Sequence, residues 1–294
     1  MAKVKRQTRP KPRTRKKTTR LLDNLPVLEY NEKLKMVVYG RSASGKTSFC
    51  ATIPGKLLWI ICSGGNAAGE LRSLSPEQKK RITPIKLENS DQLLQLNKEL
   101  STDTFYDGVV LDHASDFQDM ALAESLGIDE LPAQKDWEMA TRDDYAARGL
   151  TVKTCLRGLL NLVEKDVVIV AQEGEFDVDQ VDDESLIQPS IGAALGKSIV
   201  TWLNPAADQI VETFIQPKMK RVPVTSVRKK KKANATQKYK LVRDGKKVEY
   251  CLRTAPDPLY TTKFRVPKGY EKPEYIVDPD YDKLMEVING KYKP

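Results

Sequence analysis

Histidine and cysteine are scarce in this chain. Its 294 residues include one histidine, His113, and four cysteines, Cys50, Cys62, Cys155 and Cys251, no two of them close together. That scarcity argues against a structural zinc site and leaves no disulfide framework. The four thiols read instead as small buried hydrophobes of a protein kept in a reducing compartment. Long apolar runs are missing as well. None nears the roughly 20 residues of a membrane-spanning helix, and the basic amino-terminal stretch lacks the apolar core of a secretory signal. The expectation is a cytoplasmic protein with no membrane partner.

Acidic residues are nearly absent from two segments. Residues 1–20 hold 10 Lys/Arg and no acid, and residues 218–247 hold 13 Lys/Arg and one acid, Asp244. Taking those 23 cations and one acid from totals of 49 and 40 leaves 26 basic against 39 acidic residues, a balance of −13. An acidic body with two concentrated basic segments points to a polyanionic partner held at defined places. In the second segment, Arg228, Lys229, Lys230, Lys231, Lys232, Lys238 and Lys240 are the candidate phosphate contacts. Tyr239 and Tyr250 are candidates for base stacking or simply for packing.

From about residue 25 the chain alternates strand-like and helix-like stretches. "KMVVYG" (35–40), "KLLWIIC" (56–62), "DGVVLD" (107–112) and "DVVIVAQE" (166–173) are apolar runs of buried-strand length, and "RITPIKL" (81–87) is a weaker one. Helices are expected over 46–52, 91–100 behind a cap at Ser90, 115–125, 142–163, 193–203 and 281–288. Continuous rather than alternating apolar strands imply a mostly parallel sheet covered by helices on both faces, an α/β fold. Further strands are expected near 209–215, 237–242 and 247–253. The "RDGK" between the last two reads as a hairpin turn. The organisation expected is a disordered tail (1–20), a P-loop core (21–216), a basic hairpin continuing the sheet (217–254) and an extension with a short helix (255–294).

"GRSASGKT", Gly40 to Thr47, matches the phosphate-binding loop G-x-x-x-x-G-K-[ST] and sits between a buried strand and a helix, as its chemistry requires. Glycines let backbone N–H groups turn toward phosphate oxygens. Gly40, Arg41, Ser42, Ala43, Ser44, Gly45, Lys46, Thr47 and Ser48 are thus the candidate triphosphate cradle, with Lys46 on the β- and γ-phosphates and Thr47 on magnesium. Asp112, closing an apolar strand, is the candidate second magnesium-ordering group. Gln172, at the end of another strand, is the candidate sensor of the γ-phosphate or attacking water. His113 follows Asp112 and reads as a phosphate contact or as a packing or capping residue.

The order of this loop, Asp112, "KDWEMATRDDY", a long helix, "VVIVAQE", "PSIGAALGKSI" and "LRTAPDPLYTTKFR" resembles the RecA-like phage ATP-binding proteins, over roughly residues 25–267. The resemblance implies a RecA-like core, ATP with Mg2+, and single-stranded DNA as partner in recombination, annealing or replication. It also implies a homo-oligomer, a single-strand-binding or replication protein as a further partner, and the host bacterial cytoplasm as its setting. Such ATPases often carry a catalytic Glu after the second strand. Here Ser63 and two glycines follow, and Glu70 is the later substitute, so slow hydrolysis is expected. Lys263 and Arg265 are the candidate cations donated to a neighbouring subunit's site. Two alternatives stand beside this reading: a non-hydrolysing ATP-dependent nucleic-acid-binding module and a P-loop kinase of small molecules.

Overall fold

The computed structural model describes residues 33–62, 67–128, 131, 140–176, 189–223 and 239–293, with the backbone alone given for Ala67, Ala68, Glu70 and Pro223. The basic tail expected at 1–20 and residues 135–139 of the Trp-containing linker lie outside these residues. Along the chain follow β1 (Lys35–Gly40), α1 (Lys46–Cys50), β2 (Leu57–Ile61), a 3-10 segment (Ala67–Ser73), α2 (Pro76–Arg81), β3 (Ile82–Lys86), α3 (Ser90–Leu100), β4 (Gly108–Asp112), α4 (Ala114–Leu126), α5 (Arg142–Leu160), β5 (Asp166–Glu175), β6 (Ile191–Ala193), α6 (Lys197–Ala206), β7 (Gln209–Pro223), β8 (Tyr239–Arg253), β9 (Tyr275–Val277) and α7 (Tyr281–Ile288).

The sheet runs β3-β2-β4-β5-β1-β7-β8-β9, with β6 paired to β5. Strands β1 to β5 and β7 are parallel, while β6, β8 and β9 are antiparallel to their neighbours. This is the α/β architecture expected: a mostly parallel sheet flanked by helices. Side chains alternate across a strand, so each apolar strand feeds two cores. Val37, Tyr39, Ile60, Leu111 and Ile169 face Leu93 of α3, Phe117 of α4, Leu156 of α5 and Ile199 of α6. Met36, Val38, Trp59, Val110 and Val168 face Phe49 of α1, Phe264, and Leu284 and Val287 of α7. All four cysteines are buried. Burial pushes the Cys155 and Cys251 thiols up to about 12, which suits packing rather than chemistry. No helix among the described residues is long and apolar enough to cross a membrane.

Four local expectations are corrected. The N-cap of α3 is Asn89, whose side chain accepts from the Gln92 amide, and Ser90 is the first helical residue, its hydroxyl donating to Glu124. Helix α5 stops at Leu160 rather than 163, capped at Asn161. Helix α6 begins at Lys197 rather than 193, because Ile191–Ala193 is taken up pairing with β5. The "RDGK" stretch is not a turn. Strand β8 runs through it without reversing, because β7 is long enough to pair with both halves. The register jumps from Pro217↔Val248 to Met219↔Arg243, so residues 244–247 form a bulge, with Gly245 at φ 65° and Asp244 bridged to Lys220 and Lys247. β7 and β8 therefore make one long two-stranded arm. Arg228 to Lys232 and Lys238 fall between its paired ends, Pro223 and Tyr239, and lie outside the described residues. Helix α2 was not expected, although Ser75 and Gln78 form a capping box ahead of it.

One core cation has an unusual setting. Lys35 is buried, and its ammonium donates to the carbonyls of Leu162 and Lys165. Burial lowers its pKa to about 8, with Asp166 pulling the other way. Unfolded, Lys35 keeps its proton up to its ordinary value of 10.5. Between about 8 and 10.5 the unfolded chain therefore binds more protons, and stability rises with pH. Urea unfolding at pH 7.5 and pH 10 should show wild type gaining on Lys35→Met as pH rises. A difference independent of pH would contradict this assignment.

Candidate nucleotide site

The phosphate-loop motif lies at the carboxyl edge of the sheet, and the register around it is tight. Gly40, the last residue of β1, is level with Gln172 of β5 on one side and Thr213 of β7 on the other. A Cβ on Gly40 would stand 2.4 Å from the Thr213 carbonyl oxygen and 2.8 Å from Ser44 Oγ, so only glycine fits. The loop then closes on itself. The Ser44 hydroxyl meets that of Thr213 at 2.6 Å, and the Thr213 hydroxyl also reaches the Tyr39 carbonyl. Gly45 enters α1 at φ 95°, a conformation natural to glycine, and a Cβ on it would stand 3.0 Å from the Tyr250 ring of β8.

Lys46 is buried at the start of α1. Its ammonium donates to the Gly40 carbonyl at 2.6 Å and the Arg41 carbonyl at 2.8 Å. These bonds hold the cation over the hollow of the loop. Arg41 points outward and pairs with Glu173 at 2.9 Å, which raises its pKa. Asp112 ends β4 and is 4% exposed. Its carboxylate accepts from the indole N–H of the wholly buried Trp59 on β2, at 3.1 Å.

Beyond Asp112, His113 caps α4 by accepting the Asp116 amide on Nδ1. On the other side of the ring, Nε2 lies 3.0 Å from the Gln172 side-chain nitrogen, the imidazole tautomer setting which of the two donates. The ring thus holds that amide beside Nε2. The Gln172 backbone N–H donates to the Ser115 hydroxyl. These groups share a cleft of about 740 Å³ lined by the loop from Ser42 to Phe49 and by Asp112, His113, Gln172, Thr213 and Tyr250, among others.

A family model described as AAA domain (AAA_24) matches residues 32–266. The chain belongs to this AAA-domain family. Among solved structures, this AAA-domain chain is similar to the RadB recombinase, at 16% identity and TM-score 0.37, over 74% of this chain and 86% of that one. It is also similar to the flagellar accessory protein FlaH from Methanocaldococcus jannaschii, at 11% identity and TM-score 0.38, over 85% of each chain. Comparison with curated proteins finds no match.

The AAA-domain cleft thus gathers loop residues including Lys46 and Thr47, together with Asp112 and Gln172, from three separate segments. The other site candidates lie elsewhere. The Lys263 ammonium donates to the carbonyls of Asn204, Pro205 and Ala207 at the end of α6. Arg265 pairs with Asp208 at 2.8 Å, both side chains well exposed. Lys263 pairs with Ile210 near the start of β7, at the opposite edge of the sheet from Thr213. Glu70 belongs to the 3-10 segment whose Ser73 lines the cleft, but its side chain, like Ser63, lies outside the described residues. Lys240 is exposed on β8, opposite Val222.

Sequence reasoning missed Trp59 and Thr213. Trp59 carried a readable signal, a polar-tipped ring inside an otherwise aliphatic strand. Thr213 carried none, because its role depends on the register of β7 against β1.

Two variants test this geometry. Gly40→Ala should destabilise the fold by about 3 kcal/mol or more, since the new methyl meets backbone on one side and a bonded hydroxyl on the other. Trp59→Phe should cost about 1–3 kcal/mol by leaving the Asp112 carboxylate without its indole donor. Urea denaturation measures both, and wild-type midpoints would contradict the packing described.

Proposed function

We propose that this chain is a RecA-like P-loop ATPase that binds ATP with Mg2+ and grips single-stranded DNA through the β7–β8 arm. The observation that carries the reading is the attachment of both arm strands to the phosphate loop. Thr213 of β7 is bonded to Ser44, and Tyr250 of β8 lies over Gly45. A ligand that reshapes the loop must act on both strands, and between their far ends lie Arg228 to Lys232 and Lys238.

The residues fit the cofactor. Gly40 and Gly45 leave a cradle that a Cβ would fill, and Lys46 overhangs it. Thr47 and Asp112 line the same cleft as oxygen donors suited to magnesium. Magnesium-ATP, when bound, supplies a polarised γ-phosphate. Gln172, aimed by His113 and held at its backbone by Ser115, is positioned to register whether that phosphate is present. Ser63 and the glycines after β2 support slow hydrolysis, and they equally support the non-hydrolysing module as a second reading.

Should copies associate, as RecA-like cores do to complete their sites, Arg265 is better placed than Lys263 to reach across. Its side chain is 60% exposed, whereas the Lys263 ammonium is engaged by three carbonyls. The motif order that resembles phage ATP-binding proteins supports a setting in phage recombination, annealing or replication.

The test is single-stranded DNA binding and ATP turnover, each with and without the other ligand. Wild type should bind DNA more tightly with magnesium-ATP, and Lys46→Ala should lose that gain. Replacing Arg228 to Lys232 with alanine should flatten the dependence of log affinity on log salt by about 0.7 for each phosphate that the arm no longer neutralises. DNA binding indifferent to both changes would refute the reading. ATP-dependent binding without turnover would select the non-hydrolysing module.

A further inference from the structure

The cleft extends well past the phosphate loop, and its two ends differ in chemistry. Adjacent strands lie about 4.8 Å apart, so from β4 to β8, four steps along the order β4-β5-β1-β7-β8, is roughly 19 Å. At the β4–β5 end stand Asp112, His113 and Gln172. The loop, on β1, occupies the middle. At the far end stand Tyr250 of β8, Asp278 and Pro279 just after β9, and Thr52 beyond α1. A triphosphate anchored on Lys46 and Thr47, with its γ-phosphate toward Asp112 and Gln172, leaves the rest of the molecule to run toward Tyr250.

That far end is built, not incidental. The Tyr250 ring comes within 3.0 Å of the position a Cβ on Gly45 would take, yet the residue is 43% exposed, so part of the ring stays open to the cleft. The Asp278 N–H donates to the Tyr250 carbonyl at 2.7 Å, fixing the two residues together. Asp278 adopts φ 45°, a left-handed conformation that aspartate tolerates better than most residues. Its backbone carbonyl accepts from Lys283 at 2.6 Å. Among the described residues no donor is bonded to its carboxylate. The segment is pinned from beyond as well, because the Tyr281 N–H donates to the Thr52 hydroxyl at 2.8 Å. An aromatic ring, a proline and a fixed carboxylate suit a flat heterocycle bearing an amino group: the ring stacks and the carboxylate accepts.

We infer that Tyr250 and Asp278 form the nucleobase subsite of this cleft, selecting an amino-substituted purine. The inference rests on the reading that a nucleoside triphosphate occupies the phosphate loop. It gives the β8 arm and the C-terminal extension a shared task, since each supplies one wall of the subsite. Adenine and guanine both carry an exocyclic amine, and hypoxanthine carries none. ATP, GTP and ITP therefore isolate the contact of the carboxylate with the amine, hypoxanthine keeping only the N1–H donor that guanine also has.

The experiment is equilibrium binding of magnesium complexes of ATP, GTP, ITP and inorganic tripolyphosphate to the full chain. Wild type, Lys46→Ala, Tyr250→Ala, Tyr250→Phe and Asp278→Gly are compared, the glycine being chosen because it keeps the positive φ. Wild type should bind ATP or GTP, whichever it prefers, about tenfold or more above ITP. Tyr250→Ala should weaken that preferred nucleotide by about 5- to 150-fold, and Tyr250→Phe should restore it. Asp278→Gly should bring the preferred nucleotide down to the ITP level. Tripolyphosphate, which has no base, should bind Asp278→Gly and Tyr250→Phe within about twofold of wild type, should lose binding with Lys46→Ala, and in Tyr250→Ala should weaken far less than the preferred nucleotide. Equal binding of ATP, GTP and ITP by wild type would overturn the inference, as would an unchanged nucleotide affinity in Tyr250→Ala. So would an equal loss of tripolyphosphate in that variant, which would mean that Tyr250 supports the loop rather than a base. If wild type binds neither nucleotide nor tripolyphosphate, the nucleotide reading itself fails, and the base subsite with it.

Discussion

Everything at the carboxyl edge depends on one close approach. Gly40 carries no side chain, and so the Thr213 carbonyl, the Thr213 hydroxyl and the Ser44 hydroxyl can converge where a Cβ would stand. That convergence sets β7 beside β1 at the level where the loop leaves the sheet. It also brings Ser44 against a strand that continues outward for ten residues as half of an arm. A bulkier residue at Gly40 would push β7 away and disconnect the loop from the arm. The loop's shape and the arm's attachment are thus the same packing event.

The polar groups of the site are positioned by buried neighbours. Asp112 accepts a hydrogen bond from the indole of the buried Trp59. His113 serves as helix cap and as the group that aims Gln172, two roles that both ring nitrogens are needed to fill. Farther along, the buried Glu212 carboxylate is neutralised by Arg253, which also pairs with Asp257 and lies over the rings of Phe214 and Tyr260. Burial raises the Glu212 pKa while Arg253 opposes the rise. A buried pair of this kind resists the removal of either partner, and it locks the base of the arm, where β7 meets β8 beside the nucleotide cleft.

The arm changes character along its length. Near the body, Cys251 and Leu252 are buried, whereas residues 239–241 and 245–247 are exposed. The ion pairs of Asp244 with Lys220 and Lys247 sit on that exposed part and contribute little stability. Order in the outer arm comes chiefly from the backbone ladder.

Much of this was legible in the residues alone. Continuous apolar runs marked β1, β2, β4 and β5, because a strand buried on both faces cannot alternate. The loop motif identified its own chemistry, and Asp112 and Gln172 announced themselves as polar residues ending such runs. Charge partition marked the arm. What sequence could not specify was pairing. "RDGK" has the local chemistry of a turn, yet a strand fifteen residues long stood ready to pair with both sides of it, and the ladder outweighed the turn. Thr213, Tyr250 and Asp278 reach the cleft, and Trp59 reaches Asp112 behind it, from segments far apart in the chain. Their meeting depends on strand order and register, which are set by the summed packing of two cores and by no residue's own propensity. The sequence by itself determined the elements and the loop's chemistry; the tertiary structure decided which neighbours that loop would have.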